Sequence, residues 1–474
     1  MGVAAVALWG VADYLPQYDF RSRIALMTQS LADLTHAMLA AATAAGADAA
    51  DAVAVNGTSV SIDVLNGKLE HAERSEGIDI GLRVLMGKRQ AIVSSSDINP
   101  ATLAEMAARA VAMAKEAPED PTTGLADADD LATHWDIESL DLIDPTPEPA
   151  AAALEDAARR AEAAALSVRG VSQVQSASAG YGQRQVYLAA SNGFAGGYGR
   201  TDHMLSCVAI TGEGSQMERD YYGDMRIHAE DLFSAEEIGR LAGERTIERA
   251  GARKPPTGSY PVLYDERIAS SLIGHLLQAS NGSAIARGAS WLRDALGTEV
   301  LPTSLSLLED PHRARTRGSR LFDSEGLPTK KRTIIADGML TGWTLDLATA
   351  RKLGLKSTGS ASRGTSSGPS PSISNVALTQ GQATRADLIA EMGTGLLITS
   401  MIGASINPTT GDYSRGASGF WIENGEITYP VNECTVAGNL RDMLKTLVPA
   451  NDARTHLNIV VPSLLVEGLT IAGE

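Results

Sequence analysis

Metal-binding side chains are sparse along this sequence of 474 residues. Its eight His residues are scattered, and no His-Glu-x-x-His pattern is present. Zinc peptidases place two His on one helical face and use a Glu to activate water. His275 follows Gly274 in a predicted helix, but no second ligand stands at a useful spacing. On its own, His275 is more typical of a hydrogen-bonded core or surface residue.

The Ser and Cys side chains do not indicate a nucleophilic catalytic site either. No Gly-x-Ser-x-Gly turn occurs, and the two cysteines, Cys207 and Cys434, lie far apart and outside any Cys-x-x-Cys pair. This usage argues against a disulfide framework or an all-Cys zinc site, and it fits a reducing cytoplasm. Cys434 lies in a β-like segment, where a small buried residue is the favoured interpretation.

One segment, Gly411 to Gly425, combines residue types that could bind a ligand. Backbone N–H groups at glycines can approach a ligand closely, and an Arg can hold a carboxylate or pair with a carbonyl. A plain structural turn is the alternative interpretation. The candidate residues for a cleft that holds an extended peptide are Ser414, Arg415, Gly416, Ser418, Gly419, Phe420 and Trp421.

The elements that must position these residues follow from periodicity and turn signals. Asp265 is predicted to cap a helix over 269–277, which would carry His275. Asn424-Gly425, between two alternating apolar runs, predicts a hairpin. The Gly- and Ser-rich stretch 354–371 is predicted to be a mobile loop. Upstream, helices are predicted over about 30–45, 101–116, 150–166 and 235–250, and strands within 52–98 and 171–210. Ser234, with Glu237 three residues on, is predicted to cap the last of these helices.

The N-terminal stretch is expected to lie outside the folded domain. Val3 to Val11 is apolar, but it has no basic residue before it and is too short to span a bilayer. Met27 precedes Thr28-Gln29-Ser30, which reads as the cap of the first amphipathic helix. Residues 1–26 are therefore predicted to be an extension, with the natural start at Met27.

Length and charge limit the remaining possibilities. A chain of 474 residues exceeds what one hydrophobic core organises, so two or three domains are expected. The formal charge of −17 argues against a nucleic-acid partner and against an anionic membrane surface. The expected location is the cytoplasm.

Several long motifs resemble the TldD/PmbA family, specifically its PmbA/TldE branch. The segment Asp412 to Ile427, followed by Pro430-Val431 and Ala437 to Leu440, carries most of the resemblance. Leu321 to Thr329 is similar to a Phe-Asp-x-Glu-Gly element, and Pro462 to Gly473 to the closing strand of the family. The match extends from about Met27 to the C-terminus.

The resemblance implies a fold and an activity. The fold would be α+β, with an α/β N-terminal half of antiparallel sheet and helices over 27–250 and a β-rich C-terminal domain over 251–474. A linker is predicted over about 118–149. TldD members are zinc peptidases with a His-Glu-x-x-x-His motif and a later Cys ligand, and they work with a TldE/PmbA partner on unfolded peptides. The family is also tied to microcin maturation and gyrase modulation.

This chain departs from the zinc motif of that family. Ser270 and Ser271 stand where its first His and Glu would be, and only Gly274-His275 is retained. Thr455-His456-Leu457-Asn458 replaces the segment that would contain the Cys ligand. Because Ser replaces neither an imidazole ligand nor a carboxylate base, no metal or other cofactor is expected in this chain.

The sequence thus predicts the non-zinc subunit of a TldD/TldE-type peptidase complex, inactive alone, with zinc in a TldD-type partner. The assembly would be a heterodimer, or self-association of this chain, acting on unfolded peptides. Two alternatives stay open. One is a stand-alone peptidase with an unrecognised site near His275. The other is a binding protein that modulates gyrase or an antitoxin without proteolysis.

Overall fold

Alternating apolar residues and an Asn-Gly turn build the first sheet. The computed structural model describes residues 20–473 of the chain. Asn66 and Gly67 take φ values of 54° and 69°, the conformation that joins two antiparallel strands with the correct twist. The strands are β1 (Ala49–Leu65), β2 (Lys68–Met86), β3 (Arg89–Ser95), β4 (Val171–Ala190), β5 (Ala195–Thr211) and β6 (Glu218–Arg226).

These strands form one antiparallel sheet in the order β3-β2-β1-β4-β5-β6. Strands β1 and β4 pair over most of their length, from Asp51 opposite Ala190 to Val64 opposite Ala177. The two predicted β regions, which lie on either side of the predicted linker, therefore belong to the same sheet. Strands β3 and β6 are its edges.

Four helices pack against this sheet. They are α1 (Phe20–Ala44), α2 (Pro100–Glu116), α3 (Ala151–Ser167) and α4 (Ala235–Glu248). Leu103 and Met106 of α2 share a core with Leu82 of β2. The predicted cap of α4 is confirmed, because Ser234 Oγ accepts a hydrogen bond from the backbone N–H of Glu237 at 3.2 Å.

The start of α1 differs from the prediction. The helix begins at Phe20 and continues through Thr28 and Ser30. Neither residue is therefore its N-cap, and the predicted first turn of this helix, at about residue 30, was wrong. Ser and Thr favour caps but are tolerated inside helices when the helix packs against a core, as α1 does through Leu31 and Met38. Residues 1–19 of the predicted 1–26 extension lie outside the described residues.

The C-terminal half contains shorter elements. Its helices are α5 (Glu266–Ala279), α6 (Gly282–Ala286), α7 (Leu347–Leu353), α8 (Arg385–Met392) and α9 (Leu440–Lys445). Its strands are β7 (Gly258–Tyr264), β8 (Leu307–Glu309), β9 (Arg332–Ala336), β10 (Met339–Leu340), β11 (Ala361–Ser362), β12 (Ser370–Pro371), β13 (Val376–Leu378), β14 (Gly395–Ile406), β15 (Asp412–Glu423), β16 (Glu426–Asn439), β17 (Val448–Pro449), β18 (Ile459–Val460) and β19 (Leu464–Ala472).

Five of these strands close into a barrel. The sheet runs β16-β15-β14-β7-β19-β17, and a further pairing of β16 with β19 joins its two sides. Closure leaves the barrel strands without free edges. Leu272, Ile273 and Leu276 of α5 share one core with the barrel. The chain is an α+β protein, as predicted, and the predicted Asn424-Gly425 hairpin joins β15 to β16.

The stretch 354–371, predicted to be a mobile loop, is instead anchored to the first sheet. Ala361 is fully buried, and the Arg363 side chain is 1% exposed and forms an ion pair with Asp51 of β1. Abundant Gly and Ser indicated flexibility, but a single buried ion pair opposes it. Within residues 20–473, no helix is both long and apolar enough to cross a bilayer.

Candidate functional site

Helix α5 carries the three motif positions, Ser270, Ser271 and His275. Asp265 caps it by accepting a hydrogen bond from the backbone N–H of Arg267 at 3.1 Å, so the predicted cap is confirmed. Ser271 and His275 are four residues apart and lie on one face of the helix. A Cβ placed on the neighbouring Gly274 would meet no atom within 4 Å. This face of α5 is therefore not covered at Gly274.

His275 is largely buried and uncharged at neutral pH. Its ring lies 6.0 Å from the ring of Tyr413, at an interplanar angle of 68°. Burial and then the nearby charge of Arg415 lower the pKa of His275. Its Nε2 atom and the Ser271 hydroxyl are buried and form no hydrogen bond with any described residue. The helix thus presents a neutral imidazole and a hydroxyl in the same region.

Arg415 of β15 lies beside this helix. Its Nε donates a hydrogen bond to the carbonyl oxygen of Gly403 at 2.6 Å, and the side chain is half-buried. The guanidinium is close enough to affect the pKa values of His275, Tyr264 and Tyr413. The structure therefore brings His275 and Arg415, two candidates that are 140 positions apart in the chain, into one site.

The donors around His275 do not fit a zinc ion. Zinc in proteins is held by thiolates, imidazoles and carboxylates. Near this imidazole lie the Tyr413 ring and the Gln278 side chain, which forms a hydrogen bond with it. The Arg415 guanidinium is also close, and its positive charge would repel a divalent cation. Across residues 20–473, no three His, Cys, Asp or Glu residues are grouped so that they could hold a metal.

Two other residues singled out in the sequence, Cys434 and His456, contact groups other than His275. The Cys434 thiol donates to the carbonyl of Ala417 at 3.2 Å, and burial raises its pKa to about 11, which agrees with the predicted buried role. His456 lies 3.7 Å from Asp224 of β6. Its segment is held by Arg313, which donates to the Leu457 carbonyl at 2.9 Å.

The predicted peptide cleft is only partly available in the structure. Trp421 is 1% exposed and packs in the barrel core, while Phe420 is 8% exposed and packs on the other side of the sheet with α8. A Cβ at Gly419 would lie 1.8 Å from the Leu397 carbonyl oxygen, so this glycine permits strand packing. These three residues do not face a ligand, which corrects the prediction. Strand β15 pairs on both sides, so it offers no free edge.

Gly416 and Ser418 line a groove of about 1050 Å³ between the barrel and the first sheet. Edge strand β6 forms the opposite wall, and Arg267 of α5 lies at its end. Ile402, which is 75% exposed, contributes an apolar side chain to this groove. Ser414 and Arg415 are half-buried farther along β15. The groove combines an edge strand, an apolar wall and charged groups, which suits an extended peptide. Two backbone N–H groups of β6 already donate to side chains, Tyr221 to Asp220 at 2.7 Å and Met225 to Asp224 at 3.0 Å.

Sequence reasoning missed Tyr264, Tyr413 and strand β6. Tyr413 could have been predicted, because alternation along a strand places residues 413 and 415 on the same face. No local signal indicated that β6 lies next to α5. That proximity is held by Asp220, which lies 3.5 Å from Arg267 and 3.6 Å from Arg249. Such pairs between distant segments leave no trace in local periodicity.

Comparisons with protein families and with curated relatives point to one family. The chain matches the PmbA/TldA metallopeptidase domain 1 over 50–114, the central domain over 141–250 and the C-terminal domain over 257–473. It is 37% identical to metalloprotease PmbA of Escherichia coli O157:H7 over 428 residues, covering 90% of this chain and 93% of the relative. A PmbA homologue of Haemophilus influenzae is 35% identical and covers 91% and 94%.

Solved structures show the same fold. A putative modulator of DNA gyrase from Bacteroides thetaiotaomicron superimposes with a TM-score of 0.86 at 27% identity, covering 93% of this chain and 98% of that protein. TldE from Thermococcus kodakarensis gives 0.80 at 20% identity, covering 93% and 100%. With three matched domains and a relative more than one-third identical over nine-tenths of the chain, this protein belongs to the PmbA/TldD metallopeptidase family.

Proposed function

We propose that this chain is the non-zinc subunit of a TldD/TldE-type metallopeptidase complex that degrades or trims unfolded peptides. The observation that carries the proposal is that the Arg415 guanidinium lies near His275. His275 belongs to α5, which has Ser at the first two positions of the zinc motif. A cationic group near the retained imidazole disfavours a bound dication through Coulomb repulsion. The metal and the base would then come from a TldD-type partner.

The groove between β6 and the barrel supplies the second part of the proposal. A peptide substrate must be unfolded to fit as an extended strand, and backbone hydrogen bonds at a strand edge bind it with little regard to sequence. Strand β6 has β5 as its one strand partner, so its other edge faces away from the sheet. The chain would thus contribute binding surface for the peptide, while the chemistry takes place on the partner.

The proposal is tested with the full chain, alone and co-purified with a TldD-type subunit that has the complete zinc motif. We expect the chain alone to carry far less than one zinc per molecule and to leave unfolded casein intact, because its donor set lacks the ligands zinc requires. The co-purified pair should cleave casein. Elemental analysis that finds about one zinc per chain, lost on His275→Ala, would instead support the stand-alone peptidase.

Replacing Arg415 tests whether this site takes part in peptide binding. Arg415→Ala should reduce the activity of the complex about tenfold, near 1.4 kcal/mol. The free energy of unfolding should fall by only about 1 kcal/mol, since the hydrogen bonds of this half-buried residue, to the Gly403 carbonyl and to Tyr413, lie near the surface of the barrel. Arg293→Ala is the matched control, because Arg293 is 61% exposed. A loss of stability with unchanged activity per folded molecule would assign Arg415 a structural role.

A further inference from the structure

A second, smaller cavity lies where the first sheet meets the C-terminal half. Its volume is about 140 Å³, and four arginines line it: Arg184 of β4, Arg200 of β5, Arg320 and Arg363. Ser324 and Asp323 complete the polar part of the wall. None of these residues lines the groove between β6 and the barrel. The cavity is therefore separate from the site proposed for peptides.

Positive charge exceeds negative charge around this cavity. The one carboxylate in its wall, Asp323, is already satisfied: it accepts backbone hydrogen bonds from Glu325 at 2.9 Å, Leu327 at 3.0 Å and Ala361 at 2.9 Å. Arg200 pairs with Asp202 at 3.0 Å, and Arg363 pairs with Asp51 through its Nη1 atom. The exposed Arg184 has no ion pair with any described residue. Burial lowers the pKa of Arg363 to about 10, so it remains cationic at neutral pH.

Three buried polar atoms of the wall have no partner among the described residues. They are Nε of Arg320, Nη2 of Arg363 and the hydroxyl of Ser324. The Arg320 side chain is held in place, since its other nitrogens donate to the carbonyls of Ala361 at 3.0 Å and Ser372 at 2.7 Å. A buried donor without a partner is unfavourable, because it has lost its hydrogen bond to water and gained none in return. Several such donors in the wall of one cavity indicate a ligand that accepts hydrogen bonds.

We propose that this cavity binds a small oxyanion, either a phosphate or a carboxylate group, between the guanidinium groups of Arg184, Arg320 and Arg363. Arginine forks match the geometry of both groups. The volume exceeds that of a single water, about 30 Å³, and suits one such group. Because its wall comes from both halves of the chain, the bound anion would link the first sheet to the segments around Ser324 and Arg363. This inference does not depend on the proposed peptidase role.

Calorimetric titration of the full chain with inorganic phosphate and, separately, with acetate tests the inference, at constant ionic strength in chloride buffer. We expect one anion to bind per chain. Arg184→Gln should weaken binding at least about fivefold, because it removes one cation from the wall. Ser324→Ala should also weaken it, with a melting temperature within about 1 °C of the wild type, since that hydroxyl makes no bond to lose.

The matched control is Arg169→Gln, which removes an exposed arginine far from the cavity. Binding of phosphate alone would identify a tetrahedral anion, and binding of acetate a carboxylate, and either supports the site. Two results would overturn it. One is no binding of either anion up to about 10 mM. The other is binding that Arg184→Gln and Ser324→Ala leave as strong as Arg169→Gln does, because the anion would then occupy another place.

Discussion

Asp51→Asn is expected to reduce the free energy of unfolding by about 3–5 kcal/mol, because it removes the carboxylate that pairs directly with two buried guanidinium groups. Asp51 Oδ2 accepts from Arg83 Nε at 2.7 Å, and its Oδ1 pairs with Arg363. The side chains of all three residues are at most 5% exposed. Chemical denaturation of the full chain, followed by circular dichroism, measures the change.

The same variant should also release the segment 354–371, since Arg363 links that segment to β1. Limited proteolysis is expected to cut there sooner in Asp51→Asn than in the wild type. Asp79→Asn, which changes an exposed carboxylate in β2, is the matched control and should alter neither measurement. A change in unfolding free energy below about 1 kcal/mol would show that the pair is as weak as a surface salt bridge.

Glu325→Gln is expected to stabilise the protein at alkaline pH. Burial and the charge of the neighbouring Asp323 raise the pKa of Glu325 from 4.5 to about 8. Burial also raises the pKa of Asp323, but the three backbone hydrogen bonds that Asp323 accepts oppose this shift. Glu325 Oε2 accepts one, from Leu347 at 2.8 Å, and a Gln oxygen can replace it.

The direction of the pH dependence follows from the two pKa values. Because the folded-state pKa is above the unfolded one, the stability linked to the Glu325 proton is complete below about pH 4.5 and is lost as the pH rises to about 8. The loss is on the order of 3–5 kcal/mol at 1.36 kcal/mol per pKa unit. Glu325→Gln should lack this slope, so it should unfold at higher denaturant than the wild type at pH 8.5 but not at pH 5.

The control for this prediction is Glu105→Gln, which replaces an exposed carboxylate of α2. It should follow the wild-type profile at every pH. If Glu325→Gln also follows that profile, the Glu325 carboxyl titrates at an ordinary pKa and the argument from burial fails. Measuring all three proteins in the same buffers separates the effect of this one proton from the general effect of pH on a chain with many acids.

Local signals in the sequence determined local structure. The Ser234 cap of α4, the Asp265 cap of α5 and the Asn424-Gly425 hairpin are all present as predicted. Each depends on residues within four positions of one another, so a short window of the sequence contains the whole signal. The family also followed from the sequence, through its long motifs, and the α+β class followed from the resemblance that those motifs carry.

The tertiary structure decided which of the candidate residues line a groove and which are buried. The aromatic side chains of Phe420 and Trp421 predict a role in a peptide cleft. Strand alternation in the closed barrel instead places both in cores. His275 and Arg415 became neighbours only because α5 packs against the strands that carry Tyr264 and Tyr413. The four arginines of the small cavity come from segments up to 179 positions apart. Periodicity indicates which face of an element is buried. The element that packs against that face is determined by contacts between distant segments. No local pattern in the sequence contains that information.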